Sequence, residues 1–227
     1  LLKNTALKKN LYIFELSSKR NIILVSIKKD LKISDIEKLG AEFFGRINNG
    51  DSKDYFIISD TINNKNNNFL SHFLHGVKLK SYVFKKYITK KEKRDITLNI
   101  TGNKNKPSIK DQIKFKALED GTFYARDLVS EPGNVLHPDE YAKRLNSLKK
   151  DGLKINIYDE KKLKKMGMHA LLGVGQGSIR GSYLVTMEWN GAKNNSSPLA
   201  FVGKGVCFDT GGYSLKPAKF MEDMTYD

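Results

Sequence analysis

Cysteine occurs once in the 227 residues, at Cys207, so no internal disulfide framework is available and a reducing, cytoplasmic setting is expected. No stretch approaches the roughly 20 consecutive apolar residues of a membrane helix, and no basic-then-apolar leader opens the sequence. No membrane partner is therefore expected. The four histidines, His72, His75, His137 and His169, show no ligand-like grouping, and His72 with His75 reads as a surface or core-edge pair on a helix. Familiar catalytic signatures are missing as well. There is no G-x-x-x-x-G-K-[ST] phosphate loop, no G-x-S-x-G elbow and no H-E-x-x-H. The glycine-rich "GVGQGSIRG" misses G-x-G-x-x-G because Ser178 stands where the third glycine belongs. An initiating methionine is also absent: the chain starts "LLKN" and stops at Asp227 just after its richest motif, which reads as a piece of a longer protein.

Acidic residues are in the minority, 25 against 40 Lys+Arg, for a net charge of +15. Such an excess suits phosphate neutralisation. Here it is nearly all lysine and travels with asparagine and isoleucine ("TINNKNNNF", "NKNKPSIK"), with no basic, aromatic-interleaved helix to concentrate it. Nucleic acid is therefore not expected as a main partner. At 39% hydrophobic residues the chain holds enough apolar material for a packed core.

Strand-like and helix-like segments alternate. "LYIFEL", "NIILVSI", "DYFIISD" and "DITLNI" read as strands, and "SDIEKLGAEFFGRI" and "NNFLSHFLHGVKLKSYVFKKY" as helices. After the loop "TGNKNKPS" a helix, "IKDQIKFKALEDGTFYARDLV", runs to the breakers of "SEPGN". The second half adds "HPDEYAKRLNSLKK" and "EKKLKKMG" as helices and "LKINIYD", "YLVTMEW" and "LAFVGKGVCF" as strands. The expected fold class is α/β.

Chemistry concentrates in "GKGVCFDTGG". Lys204 stands where a buried strand should be uniformly apolar; an ammonium there is costly unless paired, and burial pushes its pKa down, freeing a lone pair for a metal. Asp209 follows where "TGG" forces a turn, then Lys216 and the acidic run "MEDMTYD" with Glu222, Asp223 and Asp227. Converging Lys and Asp side chains can hold divalent cations and leave one cation to polarise a carbonyl. Each residue also has an ordinary reading: Lys204 snorkelling from an edge strand, Asp209 capping a turn, "MEDM" opening a helix. Cys207 reads as a buried strand residue.

The stretch "FVGKGVCFDTGGYSLKPAKFMEDMTYD" resembles the signature region of the leucyl aminopeptidase family, the dinuclear-metal cytosol aminopeptidases. "ARDLVSEPGNVLHPDEYA", "MGMHALLGVGQGS" and "YLVTMEWNG" resemble the same family in the same order. The resemblance implies an aminopeptidase that hydrolyses the amino-terminal residue of short peptides with a free amino terminus, using a water activated by two divalent ions, zinc or manganese, with magnesium possible at the looser site. Position by position it implies that Lys204 ligates the tighter metal through a neutral amine, that Asp209 bridges both metals and that Asp227 completes this chain's share of the tighter site. Lys216 would hydrogen-bond the scissile carbonyl, Met224 would line the pocket for the first side chain, and Gly211 and Gly212 would shape the loop between them. It also implies a homo-hexamer, a macro-domain-like α/β domain over residues 1–105, a linker helix over 106–131, and over 132–227 the first part of an α/β sandwich catalytic domain around a mixed sheet. The metals would lie near the carboxyl ends of its central strands.

The chain departs from the family in one large respect. The remaining ligands, an Asp-x-Glu pair and an arginine two residues later, are not in it, so the polypeptide as given is expected to be inactive although the complete protein is an aminopeptidase. Smaller departures are Cys207, Tyr213 after the glycine pair, and Arg180, expected to be structural. The rival expectation is a binding module for a nucleotide, an ADP-ribose-like ligand or nonspecific nucleic acid. Against it, residues 1–105 lack a glycine-rich phosphate loop after a strand.

Overall fold

The computed structural model describes residues 10–17, 20–50, 53–89, 95–192 and 197–226, and divides into two compact units at Ala125/Arg126. In the amino-terminal unit β1 (Leu11–Ser17) pairs antiparallel with β2 (Arg20–Val25), with a register shift between Glu15 and Ser17. Helix α1 (Ile33–Ile47) buries Ile36, Leu39, Phe43 and Ile47, the three- and four-residue spacing that gives a helix one apolar face. Next come β3 (Asp54–Ile58), α2 (Phe69–Lys80) and β4 (Thr97–Thr101). β3 and β4 pair in parallel, and α2 lies in the connection a parallel pair requires. The core is where Phe69, Leu70, Phe73 and Val77 of α2 meet the apolar face of α1. Two glycines permit that approach: a Cβ on Gly40 would run into the Phe73 carbonyl, and one on Gly76 into the backbone of Glu37.

One expectation for this unit needs correction. The helix expected through Tyr87 stops at Lys80, because Ser81 donates its hydroxyl to the Lys78 carbonyl (2.7 Å) and its N–H to the Val77 carbonyl, giving the last turn its partners. The segment "TGNKNKPS" is a loop, as expected, and it is anchored. Asp60 accepts the N–H groups of Asn103 (2.8 Å) and Lys104 (2.6 Å), and the Asn105 side chain donates to the Ser59 and Ile62 carbonyls. Those two N–H bonds, the Lys104 one first, hold the Asp60 carboxyl below its ordinary value. The histidine pair sits at the core edge: His72 contacts Glu37 (3.0 Å) and His75 contacts Glu119 (2.9 Å).

Helix α3 (Ile109–Ser130) contains the unit boundary. Beyond it come α4 (Pro138–Asn146), β5 (Lys154–Tyr158), α5 (Glu160–Lys165), α6 (His169–Gly175) and β6 (Leu184–Glu188). Pro138 opens α4 and the His137 side chain accepts from the Glu140 N–H. Asp159 caps α5 by accepting from the Lys162 N–H (3.0 Å). Leu163, Ile155 and Ala142 form the apolar interior beside these helices. The class is α/β, in small sheets of two strands each; among the described residues of the second unit the sheet is the antiparallel pair β5–β6.

The largest correction is at "LAFVGKGVCF", which is irregular throughout. A strand gains from apolar composition only when a neighbour takes its backbone hydrogen bonds. Among the described residues none does, and Phe201 and Val202 are 88% and 99% exposed.

Candidate active site

The irregular segment nevertheless builds one well-determined turn. The Asp209 carboxylate accepts the Gly211 N–H at 2.8 Å, and the chain reverses through Gly211 (φ +95°) and Gly212 (φ +77°), where side-chain-bearing residues are strained. A Cβ on Gly211 would also stand 2.5 Å from the Ser214 carbonyl. The Lys216 N–H closes the loop onto the Thr210 carbonyl (2.9 Å), which returns the lysine side chain toward the aspartate. Its Nζ lies 3.5 Å from Asp209 Oδ2 and donates to Met224 Sδ at 2.7 Å. The Gly211 N–H, then Lys216 and Lys204, hold the Asp209 carboxyl below its ordinary value.

Two close approaches seat this loop. Gly133, in the turn after α3, faces Phe208 so tightly that a Cβ would lie 2.6 Å from the Phe208 Cβ, and Gly205 would meet the Tyr141 ring of α4 at 3.2 Å. The turn and α4 are themselves joined by Arg144, which donates to the buried Glu131 (2.9 Å) and to Glu140 (3.0 Å). Burial opposes the charge on Arg144, but Glu140 and Glu131 outweigh it and raise its pKa. A hollow of about 70 Å³ results, lined among others by Leu128, Tyr141, Lys204, Cys207 and Met224.

Asp209, Lys216 and Met224 are thus brought together, and Lys204 and Met224 line one hollow. Lys204 is exposed. Asp227 lies outside the described residues. Cys207 is half-buried in a loop, not in a strand, and burial first, then Asp139, pushes its thiol up. Arg180 pairs with Asp139 (3.3 Å). Burial works against Asp139, yet its own N–H, His137 and Arg180 prevail and lower its pKa. Residue chemistry alone did not reveal Phe208, Tyr141 or the Glu131–Arg144 pair; the only available signal was Gly133 in "SEPGN", a glycine where a helix has already ended.

The described residues do not by themselves fit a pair of divalent ions. Asp209 offers one carboxylate, one of whose oxygens already faces an ammonium, and no group of three His, Cys, Asp or Glu suited to a metal occurs among them. The arrangement instead presents an ionised carboxylate and a cation on a rigid turn beside a small apolar hollow.

The chain has counterparts among known proteins. The profile of the cytosol aminopeptidase family, catalytic domain, matches residues 123–227. The probable cytosol aminopeptidase of Nitrobacter winogradskyi is 42% identical over 214 residues, covering 91% of this chain and 43% of that protein. The probable cytosol aminopeptidase of Chelativorans sp. is 48% identical over 157 residues, covering 67% and 32%. Among solved structures, the bottromycin maturation enzyme BotP in complex with Mn superposes with a TM-score of 0.72 at 21% identity, over 92% of this chain and 45% of that one. The chain belongs to the cytosol aminopeptidase family and spans less than half the length of these relatives.

Proposed function

We propose that the protein is a metal-dependent aminopeptidase that releases the amino-terminal residue of short peptides, and that Asp209 and Lys216 form this chain's part of its site. The observation that carries this reading is the Asp209–Lys216 pair on the Gly211–Gly212 turn, within the segment that matches the family's catalytic domain. Lys216 is the cation for the scissile carbonyl: its charge stabilises oxygen more strongly as negative charge develops there. Asp209, held ionised by the Gly211 N–H, orients that cation and supplies a carboxylate donor. Lys204, Asp209 and Asp227 are the proposed donors toward two divalent ions, zinc or manganese with magnesium at the looser site. Lys204, Asp209, Lys216, Met224 and Asp227 together are the proposed substrate contacts, with Met224 beside the first side chain.

The 227-residue chain on its own is proposed to be inactive, because its described residues do not complete a metal cage. The complete enzyme is proposed to be cytoplasmic and homo-hexameric. Hydrolysis of leucine para-nitroanilide with added manganese tests this: the chain should release no nitroaniline. Manganese bound weakly in an electron paramagnetic resonance titration should be lost in Asp209→Asn. Turnover by the chain would remove the incompleteness argument, and equal manganese binding by wild type and Asp209→Asn would remove Asp209 as a donor.

A further inference from the structure

Helix α5 (Glu160–Lys165) carries its charge unevenly. The two carboxylates at its amino end are spent on backbone: Asp159 accepts the Lys162 N–H (3.0 Å) and Glu160 accepts the Ser182 N–H (3.0 Å). Lys162 donates to the Ile157 carbonyl (3.2 Å). Lys161, Lys164 and Lys165 are exposed, and among the described residues no carboxylate pairs with any of them. Spaced three and four residues apart, Lys161 shares one side of the helix with Lys164 and Lys165, while Leu163 turns the other way and is fully buried. Exposed apolar side chains border this patch. Met166, which closes α5, is 53% exposed, Val174 of α6 is 79% exposed and Ile179, in the turn beyond, is 97% exposed. These segments are tied to α5. The Met168 N–H returns to the Leu163 carbonyl (3.0 Å), so α6 starts where α5 ends, and the Glu160–Ser182 bond holds the chain after Ile179 against the start of α5.

We propose that α5, with Met166, Val174 and Ile179, is a docking surface for an anionic phospholipid bilayer. The three lysines stand over the headgroups, and the three apolar side chains enter the boundary between headgroups and acyl chains. Bare apolar side chains beside unpaired cations favour a bilayer over a nucleic acid. Phosphate contacts need only the lysines, and none of Met166, Val174 and Ile179 offers a ring for a base to stack on. That no helix among the described residues is long and apolar enough to cross a membrane bears on spanning a bilayer, not on attachment to its surface. The proposal stands independently of the peptidase reading, since no residue of the Asp209 turn takes part.

Co-sedimentation of the chain with phosphatidylcholine vesicles containing about one-third phosphatidylserine, at about 0.15 M salt, tests it. Binding should be saturable and should be lost on pure phosphatidylcholine. The triple variant Lys161→Gln/Lys164→Gln/Lys165→Gln should weaken it about fivefold per lysine, on the order of a hundredfold in all. The variant Lys28→Gln/Lys29→Gln/Lys32→Gln removes the same charge from exposed lysines of the amino-terminal unit and should leave binding within about twofold. Val174→Ser/Ile179→Ser should weaken it about tenfold with the charge unchanged. No sedimentation with the anionic vesicles would overturn the proposal. So would equal losses in the two lysine variants, which would mark attraction to the net charge of the whole chain. Unchanged binding in Val174→Ser/Ile179→Ser, or tighter binding to a single-stranded oligonucleotide than to the vesicles, would overturn it as well.

Discussion

Asp209 shows how a few atoms set the behaviour of a site. Its folded pKa is depressed, first by the Gly211 N–H and then by Lys216 and Lys204. A depressed carboxyl contributes stability above its unfolded pKa of about 3.9, and that contribution is lost as pH falls through the folded value. Carboxyl-detected NMR should place the Asp209 midpoint below that of an unfolded aspartate, and Lys216→Met should raise it; an unchanged midpoint would mean that the 3.5 Å contact carries no electrostatic weight. Gly133 is the second decisive residue. Its missing side chain leaves room for Phe208, the residue before Asp209, and Gly133→Ala should cost about 1–3 kcal/mol by overpacking, read as a lower urea midpoint with unchanged slope.

Individual elements are held by their ends and by a few buried pairs. The turn after α3 is joined to α4 by Arg144 and Glu131, whose side chains are 21% and 2% exposed. Removing one partner leaves the other charge buried, so Arg144→Ala should destabilise by about 3 kcal/mol or more, whereas Lys154→Ala, on an exposed pair with Glu188, should change stability by less than about 1 kcal/mol. In the amino-terminal unit, the loop after β4 depends on Asp60 accepting two backbone N–H groups. The folded pKa of Asp60 is lowered, so this anchor is present near neutral pH and released as pH falls through that value. Hydrogen exchange should show the Asn103 and Lys104 amides losing protection on acidification, and Asp60→Ala, which removes the acceptor, should reproduce that loss at neutral pH. Equal protection in wild type and variant would show that the loop is held by other contacts.

On the scale of the whole chain, apolar surface is distributed unequally. In the second unit Phe201, Val202, Leu199 and Ile179 are 80–99% exposed, more than isolated surface residues require. The chain should therefore bind an apolar dye such as anilinonaphthalene sulfonate in its folded state. Val202→Lys should reduce that binding while changing stability by no more than about 0.5 kcal/mol, because the side chain touches little. Dye binding that appears only on unfolding would show these residues to be covered in solution. The net charge of +15 helps keep such a surface from self-association at low salt.

Local order was legible in the sequence because its causes are local. The apolar spacing of Ile36, Leu39, Phe43 and Ile47 specifies α1, Pro138 and Asp159 mark helix starts, and the Asp209 turn is made by residues two and three positions apart, Gly211 and Gly212. The family, too, is carried by residue types at fixed spacings. Tertiary structure decided what depends on a neighbour. "LAFVGKGVCF" has the composition of a strand, yet pairing needs a second strand; among the described residues none pairs with it, and Lys204 is exposed. Likewise no periodicity announces that Gly133 meets Phe208, that Arg144 reaches Glu131, or that Ser71 and His75 line a common hollow. Hydrogen-bond partners distant in sequence and the steric fit of packed surfaces exist only once the chain has closed on itself.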